Sequence, residues 1–337
     1  MNRPDFSRGG TETQEETVPK GKTSSAGNGW GPAYEISVVV VTYRPALEKL
    51  LATLRSIVVQ RDVALQIVVT DDGSEENYFE EIRMFFAKAG FKDYRLVENR
   101  TNRGTVRNKY EGLKAASGKY VKGISPGDRL YRDNTLRDWI DFMEQNGLRW
   151  SFSEAVYYQE RDGKITPVRV KAHPDDLKPY KKKDADQCRW NYVVLSDISL
   201  GAVMLSTREL QLEYCARIAD RVFYAEDHIW RMMMFEGLVG GYYQDYTVLY
   251  EYGSGMSTSG SRIWEERLRA DWEAADRILF GENKKADAYQ RRMMAAYRLN
   301  RKKGRLVRLL VKGKLRQKMK EKLWGRMTVD TLPRQRG

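Results

Sequence analysis

The sequence predicts an α/β protein built on a mostly parallel, doubly wound sheet, and three observations lead there. Short runs of β-branched residues alternate with stretches whose apolar residues return every three or four positions. The first run, 36–41, is apolar but for Ser37, as suits a strand covered by helices on both faces. Polar clusters follow three of the runs, at the carboxyl ends of strands, where open parallel sheets bind their ligands.

Each element can be justified in turn. Ile36, Val38, Val39, Val40 and Val41 mark a strand over 36–41. Leu47, Leu50, Leu51, Leu54 and the pair Ile57, Val58 then share one face of a helix, and the apolar run 65–69 forms a second strand. The alternation continues with a helix over 78–89, a strand over 94–97, a helix over 105–116 and a strand over 120–124. Repeated βαβ units of this kind wind right-handed into a parallel sheet. Beyond Arg132 a helix runs to about Gln145, and strands are expected at 151–158 and 165–170. A polar stretch covers 174–186, then come a strand at 202–205, a helix at 208–217 and an aromatic strand at 242–252. The second half is therefore mixed.

Composition narrows the function classes. Across 337 residues, 41% are hydrophobic and 11% aromatic, which excludes a disordered or collagen-like chain. No stretch approaches the ~20 apolar residues that span a bilayer, and the first thirty residues have no secretory apolar core. Only Cys188 and Cys215 are available for pairing, so the expected compartment is a reducing cytoplasm. With His173 and His228 as the only histidines and no Cys-x-x-Cys, any metal must sit on oxygen. Residues 1–33 read as a disordered leader. The net charge of +13 is concentrated in 298–326, where thirteen Lys or Arg face one acid, Glu321. Val307, Leu310, Val311, Leu315, Met319 and Leu323 recur there at helical steps, a basic amphipathic pattern. Such a segment can lie on an anionic membrane surface, pack on the body or bind nucleic acid; the near-neutral remainder of the chain argues against the last.

The three strand-end clusters are Thr42-Tyr43-Arg44, Asp71-Asp72-Gly73-Ser74 and Ser125-Pro126-Gly127-Asp128. Neither G-x-G-x-x-G nor G-x-x-x-x-G-K-[ST] is present to cradle phosphate, so a diphosphate would be met by a metal or by Arg and Lys. Asp128 is placed to hold Mn2+ or Mg2+ on phosphate oxygens. Asp71-Asp72 also reads as a helix-capping turn. Downstream, Glu226-Asp227 precedes a helix, where it is suited both to the helix dipole and to proton abstraction.

Taken in order, 38–43, 68–74, Asn102-Arg103-Gly104 with Arg107-Asn108, 118–121, Gly127-Asp128 and 225–227 resemble the motifs of family 2 glycosyltransferases with the GT-A, Rossmann-like fold. The resemblance covers roughly 35–252. It implies that Tyr43 stacks on a donor nucleobase with the backbone near Val41 beside it. Asp72 would accept a hydrogen bond from that base, and Asp71 would support the turn. Gly127 and Asp128 would lie at the donor, Asp128 holding the metal, and Arg107 would reach the phosphates. Asp227 corresponds to the family's catalytic base. Ser125 and Gly127 depart from the pattern, standing where many members carry carboxylates.

The expected domain is 34–260, followed by a helical, strongly basic extension over 261–337. The implied reaction is inverting transfer of a sugar from a nucleotide-diphospho-sugar to a hydroxyl of a glycan or lipid-linked acceptor in cell-surface polysaccharide synthesis. The enzyme would be cytoplasmic and peripheral on the membrane through 298–327, with no nucleic acid as partner. The alternatives are a nucleotidyltransferase, which the short, glycine-free 42–45 turn disfavours, and a non-catalytic nucleotide-sugar-binding or scaffold protein. The 250–259 segment resembles the one that folds over the donor. His228 reads as a helix surface residue, and Trp190, Tyr157 and Tyr158 as core.

Overall fold

The structure is a computed structural model and describes residues 33–161, 164–168, 174, 176–195, 201–253, 255, 261–281 and 285–302. The leader 1–32, most of 254–260 and the basic segment beyond 302 lie outside the described residues.

The first half alternates as the apolar spacing predicts: β1 (Tyr34–Thr42), α1 (Leu47–Val58), β2 (Leu65–Asp71), α2 (Phe79–Ala89), β3 (Tyr94–Glu98), α3 (Thr105–Ala115) and β4 (Gly118–Ile124). A two-residue strand β5 (Arg129–Leu130) and helix α4 (Thr135–Gln145) lead into the hairpin of β6 (Trp150–Arg161) and β7 (Lys164–Pro167). Helices α5 (Lys178–Lys181) and α6 (Ala185–Val194) precede a 3-10 turn at Gly201–Val203 and strand β8 (Met204–Thr207). The described residues continue with α7 (Arg208–Ile218), α8 (His228–Phe235), β9 (Gly241–Glu251), α9 (Arg262–Gly281) and α10 (Ala288–Lys302).

One sheet runs in the order β3-β2-β1-β4-β8-β6-β9-β5, with β7 added to β6. Its β3-β2-β1-β4 part is wholly parallel. Beyond β4 the pairing is mixed, with β8 antiparallel to both neighbours and β9 parallel to β6. After β3 the chain crosses to the other side of β1, so strand order reverses between β1 and β4. A crevice must open at the carboxyl ends of those two strands.

Side-chain alternation explains the double winding. Ile36, Val38 and Val40 of β1 pack with Leu50, Leu54 and Ile57 of α1 on one face. Val39, Val68 and Val121 point to the opposite face, into a core shared with α6, α7 and α8. Ala275, Ile278 and Leu279 of α9 and Met293 of α10 are buried in that second core. Helices that a boundary at residue 260 would assign to an extension thus share the hydrophobic core of the body.

One stretch gains elements the sequence reading did not assign, and one strand shifts. The polar stretch 174–186 is partly helical: Pro179 sits in the first turn of α5, and Asp184 caps α6 by accepting the Gln187 N–H at 3.0 Å. Helices this short and this weakly amphipathic leave little periodic signal. The strand expected at 202–205 is displaced to Met204–Thr207 by the 3-10 turn before it. No helix among the described residues is long and apolar enough to cross a membrane.

Candidate active site

A cleft of about 340 Å³ lies at the reversal of strand order, bounded by Val41 of β1, Gly123 and Ile124 of β4, the turn to Asp128, and Glu226 and Asp227 ahead of α8. Leu268 and Trp272 of α9 form part of its wall. Val41, Asp128 and Asp227 therefore meet at one place, whereas Tyr43, Asp71, Asp72, Gly127 and Arg107 are not among the residues lining it.

The turn after β2 is held by its own carboxylates. Asp71 accepts the Ser74 N–H at 2.7 Å on Oδ1 and the Thr42 hydroxyl at 2.9 Å on Oδ2. Asp72 accepts the Arg103 N–H at 2.9 Å on Oδ1 and the Gly104 N–H at 2.8 Å on Oδ2. Gly104 is the N-cap of α3 and has no side chain to cap with, so Asp72 does the capping from the neighbouring strand end. Burial raises the Asp72 carboxyl above its ordinary value despite those two bonds. Asn108, buried on α3, ties the strand ends together by donating to the Thr42 carbonyl at 2.9 Å and the Thr70 carbonyl at 3.1 Å. Tyr43 is 45% exposed on the turn after β1, with the Arg44 guanidinium 5.4 Å from its ring centroid. Arg107 pairs with Glu111 and Asp220, both at 2.9 Å, on the outer face of α3.

Asp128 is buried at the end of the β4 turn, and its Oδ1 accepts the Glu251 N–H at 3.0 Å. Burial pushes its carboxyl up to about 7, opposed by that hydrogen bond and by the Lys122 charge. Gly127 has φ +102, and the space a side chain would need there is occupied by the Glu251 carboxylate. Lys122 of β4 is fully buried; its Nζ donates to the Gly123 carbonyl at 2.7 Å and the Ala202 carbonyl at 2.6 Å. Burial pushes this ammonium down to about 7, while Asp128 and Asp227 both favour its charge.

Asp227 occupies the N-cap position of α8 but makes no capping bond. Its Oδ1 is buried with no hydrogen-bond partner among the described residues. Burial first, then the neighbouring Glu226 charge, push its carboxyl up to about 8, against the pull of Lys109, a hydrogen bond from the Gly201 backbone N–H, and Lys122. The net effect holds this carboxylate basic beside a cleft, as proton abstraction needs. Glu226 is also raised by burial, with Lys109 opposing. Lys109 of α3 is buried, its Nζ beside Gly123 and 5.9 Å from the Trp230 ring centroid.

His228 corrects the sequence reading. It is 4% exposed, lines the cleft, and lies 5.9 Å from the Trp272 ring. Burial and the Arg231 charge hold its imidazole well below its usual value, so it is neutral. Tyr157 and Tyr158 are core residues, as expected. Lys109, Lys122 and the cleft-facing part of α9 escaped the sequence reading. A signal was present for the lysines, since Lys122 interrupts an apolar strand and Lys109 lies between Val106 and Leu113 on the buried face of α3.

Among the described residues no three Asp, Glu, His or Cys cluster into a self-contained metal site. The donor set instead fits an ion shared with a phosphate ligand. Asp128 offers one carboxylate oxygen beyond its single hydrogen bond, and a hard divalent cation is commonly held by one or two carboxylates plus phosphate oxygens.

The family model described as glycosyl transferase family 2 matches residues 37–203. This segment is a family 2 glycosyltransferase domain. It contains Asp71, Asp72 and Asp128 and stops short of Asp227. An uncharacterized glycosyltransferase, YibD of Escherichia coli K12, is 25% identical over 169 residues, which cover 48% of this chain and 46% of that protein. An uncharacterized glycosyltransferase of Rickettsia conorii, RC0461, is 26% identical over 126 residues, 37% of this chain and 19% of that protein. The chain thus spans less than half the length of either relative. Staphylococcus aureus TarS in complex with UDP superposes with a TM-score of 0.54 over 79% of this chain and 71% of that one, at 17% identity. The UDP-GlcNAc complex of TarS gives 0.53 over 79% and 72%. At that identity the likeness establishes the fold, here the GT-A arrangement of the family 2 domain.

Proposed function

We propose that this chain is an inverting glycosyltransferase that moves a sugar from a nucleotide-diphospho-sugar to a hydroxyl of a glycan or lipid-linked acceptor, in cell-surface polysaccharide synthesis. The observation that carries the reading is Asp227: a buried carboxylate with an unpartnered oxygen, held basic at a cleft that opens where strand order reverses.

In this reading Asp227 takes the acceptor hydroxyl proton while the oxygen attacks the anomeric carbon. The bond from that carbon to the diphosphate oxygen breaks on the opposite face, and its electron pair leaves with the nucleotide. A single in-line displacement inverts the anomeric centre. Val41 and Tyr43 flank the nucleobase, and Asp71, Asp72 and Asn108 hold the turn that presents it. Asp128 would hold Mn2+ or Mg2+, which supplies positive charge for the departing diphosphate. Arg107 is left with a supporting role at Asp220 and Glu111. A uridine nucleotide is the donor to try first, because TarS has been solved with UDP and UDP-GlcNAc. The basic 298–327 segment would place the protein on the cytoplasmic face of an anionic membrane, near a lipid-linked acceptor.

Calorimetry with UDP, GDP and dTDP, with and without Mn2+, tests the donor site. Metal-dependent binding of one nucleotide, lost in Asp128→Ala, is the expected result. Binding without transfer in the wild-type protein would favour the nucleotide-sugar-binding alternative.

A further inference from the structure

We propose that Asp271, on helix α9, is a positioning residue for the transfer reaction, holding the loop that presents Glu226 and Asp227 to the cleft. The inference rests on Asp227 being the base. Asp271 Oδ2 accepts three consecutive backbone N–H groups: Phe223 at 3.1 Å, Tyr224, and Ala225 at 3.1 Å. Consecutive amides converging on one anion form a nest, and each bond is charge-assisted. The loop between α7 and α8 would otherwise leave these donors to solvent.

Both ends of this tether are anchored. On the α9 side, Ala275, Ile278 and Leu279 are buried in the core, and Asp276 pairs with Arg231 of α8 at 3.0 Å. On the loop side, the Phe223 carbonyl accepts the Val106 N–H at 3.1 Å, and the Phe223 ring fills the space beside Gly104, whose own N–H is bound by Asp72. The segment that Asp271 grips therefore connects the donor-side turn to the proposed base, and Asp227 follows two residues after the last gripped amide. From the cleft side, Asp227 meets the Gly201 backbone, which donates a hydrogen bond to it. A site held this way depends on its supporting contact, because a displacement of ~1 Å at a reacting group costs on the order of a hundredfold in rate. Asp271 lies far beyond the matched 37–203 segment, so no family motif points to it.

The test compares wild type with Asp271→Ala and Asp271→Asn by steady-state transfer kinetics and by amide hydrogen exchange over 219–227. Asp271→Ala is expected to lower kcat about a hundredfold while the donor KM stays within about threefold, and to speed exchange at Phe223, Tyr224 and Ala225. Asp271→Asn keeps an acceptor oxygen and loses the charge, so it should recover part of kcat. A wild-type kcat in Asp271→Ala overturns the proposal, as do equal kcat losses in both variants that track a fall in Tm. If the wild-type chain transfers from no donor, the glycosyl-transfer reading has failed. The exchange experiment still decides the clamp: unchanged rates at those three amides in both variants overturn it.

Discussion

Asp227 is the residue on which the chemistry turns, and its environment makes two opposite demands. As a base it works only when ionised, so with a carboxyl pushed up to about 8, kcat/KM should rise through neutral pH and level off above about 8. For stability the sign reverses. An unfolded carboxyl titrates near ~4, so between about 4 and about 8 the native state holds the extra proton, and stability falls as pH rises through that window. Asp227→Asn should therefore lose transfer by at least about a thousandfold, keep nucleotide affinity, and melt higher than wild type by a margin that widens from pH 5 to pH 9. Calorimetry at fixed pH steps checks all but the rate. Lys109 supplies the opposing charge. Lys109→Met should move the acid limb of the rate profile to higher pH and lower activity at pH 7, whereas an unmoved limb would mean that the lysine does not act on the pair.

At the scale of elements, α3 is the member that joins donor turn to catalytic loop. Its start is capped by Asp72, its Asn108 ties β1 to β2, and its Val106 N–H reaches the 223–225 segment. Gly104 makes this possible because its φ of +89 is open to glycine and a Cβ would overlap the Phe223 ring. Gly104→Ala should cost on the order of 2–3 kcal/mol and weaken both nucleotide binding and transfer; urea denaturation and calorimetry measure the two effects separately. Much of this was legible in the sequence. The alternation of strands and helices predicts a helix over 105–116, and α3 spans Thr105–Ala115. The role of Arg107 was not legible, because only the packing of α7 brings Asp220 beside it.

For the whole molecule, the distribution of charge and the placement of α9 and α10 make different predictions about two truncations. Ending the chain at 260 removes Ala275, Ile278, Leu279 and Met293 from the main core and removes Asp271 from the catalytic loop. That protein should fold poorly and transfer nothing. A chain ending at 302 keeps these contacts and loses most of the basic run. It should keep its activity on a soluble acceptor. In vesicle flotation it should fail to float with phosphatidylglycerol-containing vesicles, whereas the full chain floats, since each Lys or Arg near such a surface contributes ~1 kcal/mol. Equal flotation of both chains would remove the basic segment from the account of membrane binding.

Whereas the reversal of strand order came only with the sheet, the alternation of strands and helices and the strand-end positions of Asp71, Asp72 and Asp128 were determined by the sequence alone. They follow from apolar periodicity and chain direction, which are local properties. The charges that govern the site were decided only by the tertiary structure. Lys122 and Lys109 stand near Glu226, Asp227 or Asp128 because β4 and α3 pack beside elements far along the chain, and His228 is neutral because Trp272 and Arg231 close over it. The proton affinity of a carboxylate depends on the water it has lost and the charges it has gained, and folding supplies both from residues that no local pattern connects.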